Sequence, residues 1–251
     1  MGRRLVGLGA EDPGLQIVAA IEHPAHGQLG EDAGVVAGLA SIGVPLTVDL
    51  PQSAQVLIDF SVPEGAARAV SLCRHHHMPL VMATTGLAES LQTELHQLAT
   101  EVPVVWAPSM SLAVNLAMKL VSTAAQHLRD YAPGADAEII ERHHRFKEDA
   151  PSGTALRFGE IIADKMGQKR HVHGRQGRPG MRAHEEIGYH ALRTGDNPGE
   201  HTIVFGMMGE TLELTVKATN RDCYALGAIA AAKYVACQKP GLYTMTDVFG
   251  L

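Results

Sequence analysis

Apolar positions recur along this chain at two spacings, and the way the spacings alternate divides it. Up to about residue 114, short apolar runs bounded by turn residues take turns with helical periodicity. Leu5, Val6 and Leu8 predict a short helix closed by Gly9 or by the Pro13-Gly14 turn. The runs 15–21 (LQIVAAI), 55–60 (QVLIDF), 79–83 (PLVMA) and 102–107 (VPVVWA) predict buried strands. A helix is predicted to open at Ser61-Val62-Pro63-Glu64, with Ser61 as N-cap and Pro63 in its first turn, and to run to about His76. A longer one covers 111–128, with Leu112, Leu116, Met118, Leu120 and Val121 supplying its apolar faces. Residues 24–45, rich in Gly, Ala and His, predict a loop with a short helix.

Past residue 128 the alternation stops. Residues 137–140 predict the end of a strand, followed by a polar connection. Leu156, Ile161, Ile162 and Met166 then fall at helical spacing. After a Gly- and Arg-rich loop at 174–183, strands are predicted one after another at 186–192, 200–207 and 211–218. Alternation is clearest in the last, where Leu212, Leu214 and Val216 share a face. From Arg221 an alanine-rich helix returns the chain to its first part. Two domains follow: 1–114 completed by 221–251, and 115–220.

The first part follows the Rossmann order of helix, second strand (15–21) and closing acid, Glu22. Its opening strand and most of its glycine loop are not seen, and the simplest expectation is a chain that starts late, by a misassigned start or truncation. The fold class is therefore α/β: a Rossmann-like nucleotide-binding domain, its first strand missing, plus a smaller α+β domain with a mixed sheet.

Composition narrows the function classes. A length of 251 residues suits two small domains, and 45% hydrophobic with 19% charged residues is ordinary for a soluble protein. The net charge of −6 argues against nucleic acid, although the 14 histidines would turn the charge positive on acidification. Cys73, Cys223 and Cys237 are odd in number and lack CxxC spacing, which predicts reduced thiols in the cytoplasm. No apolar run approaches the ~20 residues of a membrane span, and there is no signal-peptide order at the start. Metal is not expected, because His75, His76 and His77 are consecutive and cannot all face one ion from regular structure.

Chemistry concentrates in residues 141–155, ERHHRFKEDAPSGTA. Two histidines, an arginine and a lysine precede a helix start that Ser152 or Thr154 can cap. Backbone N–H groups there, with the helix dipole, offer a carboxylate or phosphate site, and imidazoles titrating near neutrality add proton transfer. A solvated charged turn beside a helix cap is the bland alternative.

HHRFKEDAPSGTA resembles the signature of the dihydrodipicolinate reductase family: two histidines, a lysine four residues after the first, then DAPSGTA. DFSVPEG, RTGDNPGEH, TVKATNR and GLYTMTDVFGL are also similar to that family; ATTG stands where it has GTTG, and Met1-Gly2-Arg3 matches only the end of its GxxGRMG loop. The resemblance implies NADH- or NADPH-dependent reduction of a small-molecule dicarboxylate in lysine and diaminopimelate synthesis, by a cytoplasmic homotetramer. It implies His143 and Lys147 as catalytic residues, and His144, Gly153 and Thr154 as substrate-binding. Cofactor contacts would be Met1, Glu22, His23, Ala83, Thr84, Thr85, Ala107, Pro108, Ser109 and Met110. His23 stands where many relatives have an arginine for the 2′-phosphate, which favours NADH or dual use. The loop 174–183 is expected near the substrate carboxylates, and Arg145 and Asp149 in structural ion pairs. The alternative is a non-catalytic dicarboxylate-binding protein, because the cofactor loop is short.

Overall fold

Period-two burial in short parallel strands, with helices on both faces, organises the first structural unit. The computed structural model describes residues 1–51 and 54–251, which divide into Met1–Leu112 with Arg221–Leu251, and Ala113–Asn220. In chain order the first unit holds α1 (Gly2–Glu11), β1 (Ala20–Ile21), α2 (Ala33–Val36), β2 (Leu46–Thr47), β3 (Leu57–Asp59), α3 (Pro63–His76), β4 (Leu80–Met82), α4 (Glu89–Leu98) and β5 (Pro103–Trp106). The second holds nearly all of α5 (Leu112–Leu128), then β6 (Asp136–His143), α6 (Gly153–Met166), β7 (Arg170–His173), β8 (Glu186–Arg193), β9 (Glu200–Met207) and β10 (Glu210–Lys217). Helix α7 (Asp222–Val235), β11 (Gly241–Tyr243) and α8 (Met245–Phe249) rejoin the first unit.

The first unit is an open parallel sheet ordered β11-β5-β4-β3, with β1 and β2 as a separate parallel pair. Leu80, Met82 and Val104 point to one face, where Ala66, Val70 and Cys73 of α3 and Leu91, Leu95 and Leu98 of α4 cover them. Val81 and Val105, one residue out of step, point to the other, against Ala228, Ala231, Ala232 and Val235 of α7. Leaving both faces of such a sheet wet would expose about 25 cal/mol per Å² of apolar surface, so the two layers of helix are what make the strands stable.

Two expectations need correcting here. Regular pairing in the run 15–21 is confined to Ala20–Ile21, because its partner β2 is itself only two residues long. Ser61 does not cap α3: Val62 occupies that position and the Ser61 hydroxyl donates to Asp59 instead, at 2.6 Å. His75 and His76 end α3, and His77 closes it in the left-handed region at φ 49°.

In the second unit the mixed sheet runs β10-β9-β6-β8-β7, with β6 antiparallel to β9 and parallel to β8. One face carries Ala137, Ile139, Ile187, Tyr189, Ile203, Phe205 and Val216, packed under α5 and α6. Gly159 of α6 has no side chain because the Tyr189 hydroxyl lies 1.6 Å from where a Cβ would stand. Paired on both sides, β6 runs three residues beyond Ile140, where its end was expected. That overrun places Glu141 and His143 on the covered face in step with Ala137 and Ile139.

Candidate active site

Extension of β6 through His143 gathers the chemistry of the second unit. Glu141 is 1% exposed and all its hydrogen bonds come from groups that the chain brings from elsewhere or from two residues on. Its Oε1 accepts from Arg193 Nη2 at 2.8 Å and from the Ser152 backbone N–H at 3.1 Å. Its Oε2 accepts from Arg193 Nη1 at 2.8 Å and lies 2.5 Å from His143 Nδ1. Burial works to raise the Glu141 carboxyl, but the Arg193 and His143 bonds outweigh it and hold the group below the usual carboxylate range.

Ser152 caps α6 by accepting from the Ala155 N–H at 3.2 Å, and its hydroxyl lies 3.0 Å from His201 Nε2. The His201 ring stands edge-on to that of His143, with centroids 5.2 Å apart. Burial, reinforced by the charge of His143, pushes the His201 imidazole down to about 4. Burial likewise pushes His143 down, against the pull of Glu141 and helped by Lys147 and Arg193. Lys147 is held by both oxygens of Asp149, at 2.7 and 2.9 Å, and that bond keeps the Asp149 carboxyl below its usual value. His144 Nδ1 is buried and without a hydrogen-bond partner, a polar atom that a ligand group can satisfy. Gly153 and Thr154 open α6, where backbone N–H groups lack intrahelical partners.

The second unit thus brings together His143, His144, Lys147, Gly153 and Thr154 around one strand end and one helix start. Reading the sequence had given no role to Glu141, Arg193 or His201. The signal was present: RTGDNPGEH begins at Arg193 and ends at His201, so that motif's two ends are the partners of Glu141 and Ser152. The loop 174–183 departs from expectation. Its Arg175 and Arg182 bind Glu138, on the opposite face of β6 from Glu141 and His143, and hold that carboxyl down at about 2 against the effect of burial. A cavity of about 170 Å³ under this loop is lined by Arg170, Arg175, Arg182 and Glu186, and its three arginines are all paired with acids.

In the first unit the loops after β3, β4 and β5 leave the carboxyl ends of parallel strands, where α/β sheets bind ligands. Asp59 is buried and accepts from Ser61 Oγ at 2.6 Å and Thr84 Oγ1 at 2.5 Å, so one carboxylate ties two of these loops. Ala83, Thr84, Ala107, Ser109 and Met110 are buried, whereas Thr85 and Pro108 reach the surface. The Met110 carbonyl lies 1.7 Å from where a Cβ on Gly227 would stand, so α7 packs directly on that loop. Glu22 follows β1 and bonds Thr47 through its N–H at 2.9 Å, and His23 accepts from Ala25 N–H at 3.1 Å. Met1 is the N-cap of α1, which has no side-chain cap on its first N–H groups. Small residues, open backbone and an uncapped helix start fit a nicotinamide dinucleotide.

Comparison with known proteins covers the whole chain. Residues 1–110 match the profile described as dihydrodipicolinate reductase, N-terminus, and residues 113–249 the one described as dihydrodipicolinate reductase, C-terminus. The 4-hydroxy-tetrahydrodipicolinate reductase of Rhodopirellula baltica is 56% identical over 259 residues, covering 100% of this chain and 92% of that protein. The protein of the same name from Syntrophotalea carbinolica is 44% identical over 257 residues, covering 100% of this chain and 95% of its own length. Among solved structures, the dipicolinate-bound dihydrodipicolinate reductase of Paenisporosarcina sp. TG-14 has the same fold, with a TM-score of 0.76 over 98% of this chain and 94% of that one at 24% identity. None of these favours the non-catalytic reading.

Proposed function

The chain belongs to the dihydrodipicolinate reductase family, and from that premise we propose how its own residues carry out the reaction. The activity is reduction of 4-hydroxy-tetrahydrodipicolinate to tetrahydrodipicolinate, the 4-hydroxyl leaving as water, at the expense of a nicotinamide cofactor. The observation that carries the residue roles is the grouping of a carboxylate-bound imidazole, a lysine and a helix start within the second unit.

The cofactor supplies a hydride when bound, and reduction has to be matched by a proton. His143 gives that proton to the substrate ring. Lys147 exchanges Asp149 for a substrate carboxylate, trading one ion pair for another. Thr154, through its hydroxyl and N–H, and Gly153, through its N–H, bind a carboxylate at the start of α6. His144 offers its unmatched Nδ1 to the same ligand. Residues 115–220 therefore act as the substrate-binding and oligomerisation domain, and 1–114 with 221–251 as the dinucleotide-binding domain. In the latter, Ala83, Thr84, Thr85 and residues 107–110 hold the nicotinamide end, Met1 the pyrophosphate and Glu22 the adenosine ribose. His23 offers no guanidinium fork for a 2′-phosphate, so either cofactor is used and NADH is preferred. The protein works as a homotetramer in the cytoplasm. Cys73, Cys223 and Cys237 form no disulfide among the described residues, which suits a reducing compartment, and among those residues no helix is long and apolar enough to cross a membrane.

Steady-state assays with NADH and NADPH, run beside sedimentation velocity, test this. Turnover with both, higher kcat/KM for NADH and a tetramer are expected. Full turnover in His143→Ala or Lys147→Ala would remove the assigned roles.

A further inference from the structure

We propose that Glu141 is a positioning residue for this reaction: clamped by Arg193, it holds His143 in the Nδ1–H tautomer and makes Nε2 the atom that delivers the proton. The inference rests on the reading of His143 as proton donor and deepens it. Both Glu141 oxygens accept from the Arg193 guanidinium, at 2.8 Å each, a fork geometry that requires an ionised carboxylate. An ionised carboxylate has no proton to give, so the Nδ1 atom 2.5 Å away must carry the hydrogen. The other ring nitrogen is left to exchange protons.

Packing does not ask for a carboxylate here. Ala137 and Ile139, in step with Glu141 on the same face of β6, are buried and apolar. A buried ion pair generally stabilises no better than apolar residues of similar volume, so its retention in a core face points to a task. The geometry identifies one. Through Oε1 the same group also accepts from the Ser152 N–H at 3.1 Å, and Ser152 caps α6. The proton donor and the carboxylate-binding helix start are both referenced to one fixed charge.

His143 is faced by Glu141 on its own strand, Arg193 from β8, His201 from β9 and Lys147 from the loop that follows. Of these only Glu141 favours the imidazolium. Deleting its charge lowers the His143 value further, and the pH at which kcat falls on the alkaline side moves down.

The test is kcat against pH for the full-length protein and for Glu141→Gln, Glu141→Asp and His143→Ala, with ¹⁵N NMR of the His143 ring. Glu141→Gln is expected to lose about 10²-fold in kcat, shift that midpoint to lower pH and show mixed tautomers. Glu141→Asp keeps the charge, so its midpoint stays near the parent's while its rate falls. Should Glu141→Gln not fold, the aspartate variant and the ring nitrogens of the unaltered protein decide. An Nε2–H tautomer there, or a slower Glu141→Gln with unmoved midpoint and parent-like ring shifts, overturns the proposal. Loss of turnover in His143→Ala with full turnover in Glu141→Gln overturns it and leaves the donor assignment standing. Full turnover in His143→Ala removes the donor assignment itself.

Discussion

In Ala113–Asn220 the candidate residues are charged side chains bonded to one another, whereas in the loops after β3, β4 and β5 they are small residues that offer backbone. Glu141, His143, Arg193, Ser152 and His201 form one connected set. In residues 83–85 and 107–110 the buried side-chain bonds are made by hydroxyls, from Thr84 to Asp59 and from the Ser111 N–H to Ser109. The difference suits the roles proposed above for the two regions. Moving a proton needs groups whose charge is set by neighbours, and a buried network sets it. Holding a large preformed cofactor needs clearance and unblocked N–H groups, which small side chains give. The first kind of site should fail when a charge or ring is deleted, and the second when volume is added.

Four changes would break or sharpen that contrast. The largest effect is expected for His143→Gln, with kcat down roughly 10²–10⁴-fold and cofactor KM unchanged, read from steady-state kinetics. Next comes Gly227→Ala in the other unit. Its methyl group would meet the Met110 carbonyl, costing about 3 kcal/mol or more in denaturant unfolding and weakening cofactor binding measured by calorimetry.

The third concerns pH. His201 sits at about 4 when folded against 6.5 unperturbed, so the native state holds the neutral ring. As pH falls below about 6.5 the unfolded chain takes up this proton first. Stability from this residue is present above 6.5 and lost on the way down to about 4. The loss is at most about 3 kcal/mol. Urea midpoints at pH 7.5 and pH 5 should therefore converge in His201→Gln relative to the unaltered protein, by the share this residue contributes. The smallest effect is expected for Thr84→Val, which removes a hydrogen bond to a buried carboxylate and costs about 2 kcal/mol. It should raise the cofactor KM and leave kcat near its original value. A kcat loss as large as that of His143→Gln would erase the contrast.

The parts of this protein that its sequence made legible are those where a local pattern decides the structure. Buried β4 and β5 are short apolar runs between turns, and α3 and α5 carry helical spacing and, in α3, a proline at the start. Strand β7 was not legible, because RHVH has neither an apolar run nor alternation and exists through its ladder to β8. The end of β6 was misplaced for a related reason. Glu141 and His143 read as polar loop residues until Arg193 and Ser152 are present to satisfy them. Those partners lie 52 and 11 residues away in sequence, and His201 is 49 residues from Ser152. The motif 141–155 announced the chemistry; the contacts that set its charges are long-range and could not be read from spacing.

Strand β6 is the middle strand of five, and its ladder with β8 ends at His143. Backbone laddered in a sheet opens more rarely than a turn such as 144–149, and His143 keeps its ladder to β8 although that to β9 stops at Arg142. The His143 imidazole is therefore mounted on the slower clock of the molecule, and His144 and Lys147, proposed above to meet the ligand, on the faster one. In the roles proposed above, substrate can arrive and product leave many times over without His143 having to find its place again.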